Sequence, residues 1–286
     1  LNYSRSETQA FLEKPTQRVD LIVPRGGEQL IAFVKQHASC PVIVSGRGNN
    51  FVFVNREADL QKATDIIING SLTKWAVDAD KNHLQLSIHA IGDSANYLML
   101  KLFEKITQEN PKWDRRFRIE HAQHVRFEDI QAFAKLGVIA SVQPYHCIDD
   151  GVWAAKRIGD RVNYTHPYKS FLEAGVKLCM GSDWSVAPLN AILGIYAAVT
   201  RQTVDGANPM GWIPKQKISV QDAIKAYTIN NAYAAFEENV KGSIEVGKLA
   251  DMVVLSEDIL TIQPEKIKNV QVLMTIFDGK IVFERK

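Results

Sequence analysis

Four stretches of this chain end in residues able to do chemistry. Leu84-Gln-Leu-Ser-Ile-His89 ends on an imidazole, and Arg116-Phe-Arg-Ile-Glu-His121 ends on a carboxylate and an imidazole. Val138-Ile-Ala-Ser-Val-Gln143 ends on an amide with His146 just beyond it, and Val176-Lys-Leu-Cys-Met-Gly-Ser-Asp183 ends on a carboxylate. Each run is apolar enough to read as a strand. Two neutral imidazoles and a carboxylate suit a catalytic zinc that keeps one position open for water. Taken singly, a histidine at a strand end is more often a hydrogen-bonded structural residue, and Asp183 would serve as a turn cap. Together on successive strand ends they favour a site. His37, His83, His124 and His166 lack that support and read as surface or supporting residues.

The intervening sequence supplies the elements that must position these groups. Helical periodicity runs from about Ser94 to Glu109, from Phe127 to Leu136, before Ala174, and from Leu189 to Thr200. Strands alternating with such helices predict parallel strands joined by crossovers. In a β/α barrel the C-terminal strand ends face one mouth, where side chains distant in sequence converge. Downstream, Asp251-Met-Val-Val-Leu255 and Gln271-Val-Leu-Met-Thr-Ile-Phe277 read as strands. Asp278-Gly279 before Lys280-Ile-Val-Phe283 is a two-residue hairpin signal. Upstream, Val19–Val23, Pro41–Val44 and Phe51–Val54 read as three more strands, with helical spacing around Leu30–Val34 and from Asp59 to Asn69.

Composition narrows the setting. Of 286 residues, 46% are hydrophobic and 23% charged, with a net charge of +2 and no charge runs, so neither nucleic acid nor an anionic membrane surface is expected as a partner. Cys40, Cys147 and Cys179 show no CxxC pairing, which argues against a thiolate zinc site and suits a reducing cytoplasm. The opening Leu1-Asn-Tyr-Ser-Arg-Ser-Glu-Thr lacks the order of a signal peptide and an initiator methionine, as expected of a fragment or processed chain. A small-molecule substrate is the expected partner, and the oligomeric state is not legible.

His89-Ala-Ile-Gly-Asp93, Ile119-Glu-His-Ala-Gln123, Ser141-Val-Gln-Pro144 and Gly181-Ser-Asp-Trp184 resemble strands five to eight of the amidohydrolase superfamily, nearest the branch of N-substituted formamide deformylases. The likeness continues through Ala197–Arg201, Ile218–Ala223 and Gly242–Val254, and so covers roughly residues 75 to 286. It implies a divalent metal, zinc by expectation, bound by His89, His121 and Asp183, with Asp183 also moving the proton. Gln143, His146 and Trp184 would shape the substrate pocket, although Trp184 reads equally well as a packing residue. The implied reaction is hydrolysis of an amide or formamide C–N bond. No His-x-His pair, which that family carries on its first strand, occurs in this sequence, and no fourth-strand ligand precedes His89.

Residues of about 18 to 70 are similar instead to the γ-glutamyl phosphate reductases (glutamate-5-semialdehyde dehydrogenases), through Val19–Gly27, Pro41–Val44, Phe51–Asn55, Ala58–Leu60 and Ala63–Asn69. The cysteine that this family places after the last helix is missing, since no cysteine occurs between Cys40 and Cys147. No cofactor-binding residues are assigned, because Arg25-Gly-Gly27 alone is more often a turn.

The expected fold class is therefore α/β: a partial or chimeric (β/α) barrel of amidohydrolase type, with an N-terminal α/β fragment at 1–74, a half-barrel at 75–240 and a small C-terminal β-sandwich segment at 241–286. The segment Ser71–Trp75 reads as a seam between two incomplete enzymes: a designed chimera, a natural fusion or joined segments. Beside the hydrolase, two readings stay open: a non-catalytic scaffold with a vacant or idle metal site and, ranked lower, a fragment of an NADPH-dependent acyl-phosphate reductase.

Overall fold

The computed structural model describes residues 71–286 other than 152, with isolated helical positions at 34 and 36. The strands and helices expected within residues 18–70 otherwise lie outside the described residues. Residues 71–286 fall in a compact unit that runs from Thr64 to Lys286.

The first described element of this unit is a helix not anticipated from the sequence, α1 (Ser71–Lys81), beginning where the seam was expected. Next in the chain are β1 (Ser87–Ala90), α2 (Asp93–Glu109), β2 (Arg118–His121), α3 (Phe127–Leu136) and β3 (Ile139–Val142). After β3 come α4 (Pro144–Asp150), α5 (Ala154–Ile158), α6 (Tyr168–Glu173) and β4 (Leu178–Met180). The helices α7 (Ala191–Thr200), α8 (Val220–Tyr227) and α9 (Ile229–Ala234) precede three strands, β5 (Met252–Leu255), β6 (Val272–Phe277) and β7 (Lys280–Glu284).

β1 to β4 pair in chain order and in parallel, as the strand–helix alternation predicted. The register aligns Ser87 with Arg118 and His89 with Glu120, and then Glu120 with Ser141 and Ser141 with Cys179. Side chains alternate across a sheet, so these residues share one face. Ala90, Ile119, Ala140, Val142, Leu178 and Met180 occupy the other face and are buried in the main core. There they meet Leu100, Phe103 and Ile106 of α2 and Ile130 and Phe133 of α3, the inward stripes of two amphipathic helices.

The edge strand β4 exposes no idle carbonyls on its outer side. Asn230 Nδ2 donates to Leu178 O at 2.8 Å and Asn231 Nδ2 to Met180 O at 2.9 Å, so α9 covers the edge with side-chain amides. α7 is buried almost throughout. It starts with Asn190 accepting from the Ile192 N–H at 2.9 Å. Its Gly194 is required by a close approach: a Cβ there would lie 1.8 Å from the Tyr227 hydroxyl.

α1 is fixed by Asp80, whose buried carboxylate accepts from Arg115 Nε at 2.8 Å, Asn110 Nδ2 at 2.8 Å and Trp113 Nε1 at 2.8 Å. Burial raises the Asp80 pKa, but these hydrogen bonds outweigh it and hold the carboxyl below its usual range. The last three strands form an antiparallel sheet, β5-β6-β7. Asp278 and Gly279, at φ of +49° and +73°, make the hairpin turn that their sequence signalled. Among the described residues, no helix is long and apolar enough to cross a membrane.

Candidate metal centre

All the residues singled out for chemistry lie at the C-terminal ends of the four parallel strands or just beyond them. His89 is the third residue of β1 and is exposed. His121 ends β2. Strict alternation would send it to the helix side with Ala90, its register partner. Its φ of +74°, with +40° at the adjoining Ala122, breaks that alternation, and its ring instead meets His89 edge-on at a centroid distance of 4.4 Å. Asp183 lies just past β4, also in the left-handed region at φ +58°. Non-glycine residues held there cost of order 1–3 kcal/mol each and cluster at functional sites.

His146 lies one turn into α4, immediately after β3. Pro144 opens that helix, and the His146 N–H donates to Gln143 O at 3.1 Å. His146 Nε2 lies 3.2 Å from Asp183 Oδ2. One ligand atom each from His121, His146 and Asp183 falls within 4.8 Å of the others, the one such group among the described residues. Ligands at about 2.0–2.2 Å from a shared zinc stand about 3.3–3.6 Å apart at tetrahedral angles, so this group is near the size that an ion would close. The His121 Nδ1 is buried and has no hydrogen-bond partner, which is costly unless something else meets it. Burial above all, and then the neighbouring His89, lower the pKa of His121, while Gln143 and Asp183 act in the opposite sense. Its neutral imidazole is the form that binds metal. The donor set therefore fits a divalent cation.

Gln143 is buried at the N-terminus of α4, with its Nε2 3.3 Å from Ser141 O. Trp184 is 69% exposed beside Asp183, so it does not serve as a packing residue in this structure. Glu120 stays out of the cluster: it accepts from the Ser87 hydroxyl at 2.6 Å and pairs with Arg118 at 3.5 Å. Cys147 and Cys179 are raised by burial, Cys179 to about 12, so neither supplies a thiolate at neutral pH.

Behind the site lies a buried polar network that the sequence left undistinguished. Gln123 donates to Asp150, which also lies 3.4 Å from His166 Nε2. Tyr168 Oη lies 3.1 Å from His166 Nδ1, and Arg201 Nη1 donates to His166 O at 3.0 Å. Because Asp150 ends α4 and Gln123 comes just after β2, the network links the two elements that carry His146 and His121. Burial pushes His166 down to about 4 against the pull of Asp150.

The chain is similar to several known proteins. The amidohydrolase family matches residues 38–283. Protein LONG AFTER FAR-RED 3 of Arabidopsis thaliana is 40% identical over 214 residues, 74% of this chain and 36% of that protein. The N-substituted formamide deformylase of Arthrobacter pascens is 30% identical over 212 residues, 73% of this chain and 38% of its own. This chain thus spans little more than a third of the length of those relatives. An uncharacterized metal-dependent hydrolase from Pyrococcus horikoshii superposes with a TM-score of 0.59 at 29% identity, covering 68% of this chain and 38% of that one. A stretch of 70 residues is 44% identical to the gamma-glutamyl phosphate reductase of Lactiplantibacillus plantarum, 24% of this chain and 17% of that enzyme. Both resemblances read from the sequence are thus present, and with most of its length matched, the chain belongs to the amidohydrolase family.

Proposed function

We propose that this chain carries the later-strand half of a metal-dependent hydrolase site that cleaves amide or formamide C–N bonds. The observation that supports this most is the convergence of His121 and Asp183, from two separate strand ends, around an unpartnered buried imidazole nitrogen. In this reading β1 to β4 are strands five to eight of a (β/α) barrel, the segment at 75–240 is its half-barrel and 241–286 its β-sandwich segment, preceded by the reductase-like fragment at 1–74. His89, His121 and Asp183 hold the ion, taken to be zinc. When bound, such an ion supplies Lewis acidity toward a carbonyl and activates water. The chain's own residues do the rest. Asp183 accepts the proton of the attacking water and returns it to the leaving nitrogen. His146, 3.2 Å away, orients that carboxylate. Gln143 and the exposed Trp184 line the approach for the substrate.

A second reading rests on a specific absence: the sequence contains no His-x-His pair. In that reading the site binds an ion idly, and the chain is a scaffold without turnover. One experiment separates the two. Chelator-free full-length protein is analysed for metal and assayed on N-formyl and simple amide substrates beside Asp183→Ala. The hydrolase reading expects stoichiometric divalent metal and a rate that falls at least about 100-fold in the variant. Equal rates in both proteins would refute it.

A further inference from the structure

The hydrolase reading gives His146 only an orienting task, but the geometry points to more: we propose that His146 is itself a ligand, joining His121 and Asp183 around the ion. The proposal depends on that reading and extends it to a residue outside its ligand set.

Three observations carry it. First, His146 and not His89 completes the tight group with His121 and Asp183. Second, 3.2 Å between His146 Nε2 and Asp183 Oδ2 is the outer limit for an N–H···O hydrogen bond, and charge-assisted pairs sit at about 2.7–2.9 Å. The same distance is close to the edge of a tetrahedral zinc site, about 3.3 Å for ligands near 2.0 Å from the ion. Third, α4 is held in place by contacts of its own. Cys147 and Ile148 are buried on its inner side, and Asp150 at its end is bonded by Gln123. The His146 side chain is only 14% exposed and its ring lies 6.2 Å from that of His121. A ligand held this way loses little conformational freedom on binding. The parallel register alone would not deliver a third nitrogen here; the first turn of α4 does.

Cobalt(II) titration of the full-length protein, monitored by proton NMR of the hyperfine-shifted imidazole resonances, tests the assignment without reference to turnover. The expected result is that shifted resonances of His146 appear with those of His121. In His146→Ala the His146 set disappears, the His121 set remains, and cobalt affinity falls at least about tenfold. His146→Gln, which keeps a hydrogen-bond donor toward Asp183, must lose the same resonances and the same affinity. If the wild type and both variants show one identical set, His146 is not a ligand and the inference fails while the metal site stands. If the wild type binds no cobalt, the metal reading itself falls.

Discussion

Replacing Arg201 by leucine should destabilise the fold by about 3–4 kcal/mol. The side chain is fully buried just past the end of α7. Its guanidinium donates to the carbonyls of His166, at 3.0 Å, and Trp212, and it lies over the Tyr168 and Trp212 rings at 5.4 and 5.8 Å. Leucine would leave the part-buried Trp212 carbonyl without its side-chain donor, at about 1–3 kcal/mol, and would remove one of two hydrogen bonds from His166 O, which keeps the Tyr168 N–H at 2.9 Å, at about 0.5–1.5 kcal/mol. It would also forfeit the ring contacts, at about 0.5–2 kcal/mol. Against this stands the relief of no longer burying a charge that is met by backbone dipoles, which brings the sum down from the upper end. Arg201→Lys should recover only part, because a single ammonium cannot span both carbonyls as the planar fork does. Urea denaturation of the full-length chain, monitored by circular dichroism, measures the change. A leucine variant within about 1 kcal/mol of the wild type would refute the reasoning, since it would mean that the lost donors are replaced at no cost.

The other expectations concern protons and packing. With His166 pushed down to about 4 from 6.5, chiefly by burial, the unfolded chain takes up a proton that the fold refuses. Its contribution to stability is therefore complete above pH 6.5 and is lost as the pH falls toward 4. Denaturation series across that window should show the slope, and His166→Gln should flatten it. The lowered pKa of His121 has the same sign: in the metal-free protein this ring should take up its proton below the usual histidine range, which a proton NMR pH series would read. Gly194→Ala drives a methyl against the Tyr227 hydroxyl and should cost about 1–3 kcal/mol. Tyr227→Phe in the same chain should restore part of that loss, and no recovery in thermal melts would show that the strain lies elsewhere.

Much of this architecture is written in local patterns. The four parallel strands, α2, α3, α7 and the Asp278-Gly279 hairpin arise from apolar periodicity and turn chemistry, which are properties of short windows. The short helices that the periodicity does not reveal behave differently. α4, α5, α8 and α9 run for five to eight residues, too short to be stable alone, so packing decides them. α8 did carry a readable start, because Ser219 accepts from the Asp222 N–H and donates to the Asp222 carboxylate. His89, His121 and Asp183 could be singled out because each sits at the end of an apolar run. The reach of His146 to Asp183 depends on the angle at which α4 leaves β3, and nothing within a few residues encodes that.

Asp80 bears on how such a sequence could be recombined. α1 begins at Ser71, yet the donors that seat it, Asn110, Trp113 and Arg115, all come from the segment between α2 and β2. The helix therefore takes its register from residues downstream of it. A crossover placed before Ser71 leaves this clamp whole, whereas one placed between residues 81 and 110 would part the carboxylate from its partners and strand a buried arginine. Among the described residues, the Asp80 clamp thus makes α1 and the segment up to β2 a unit that must be inherited together.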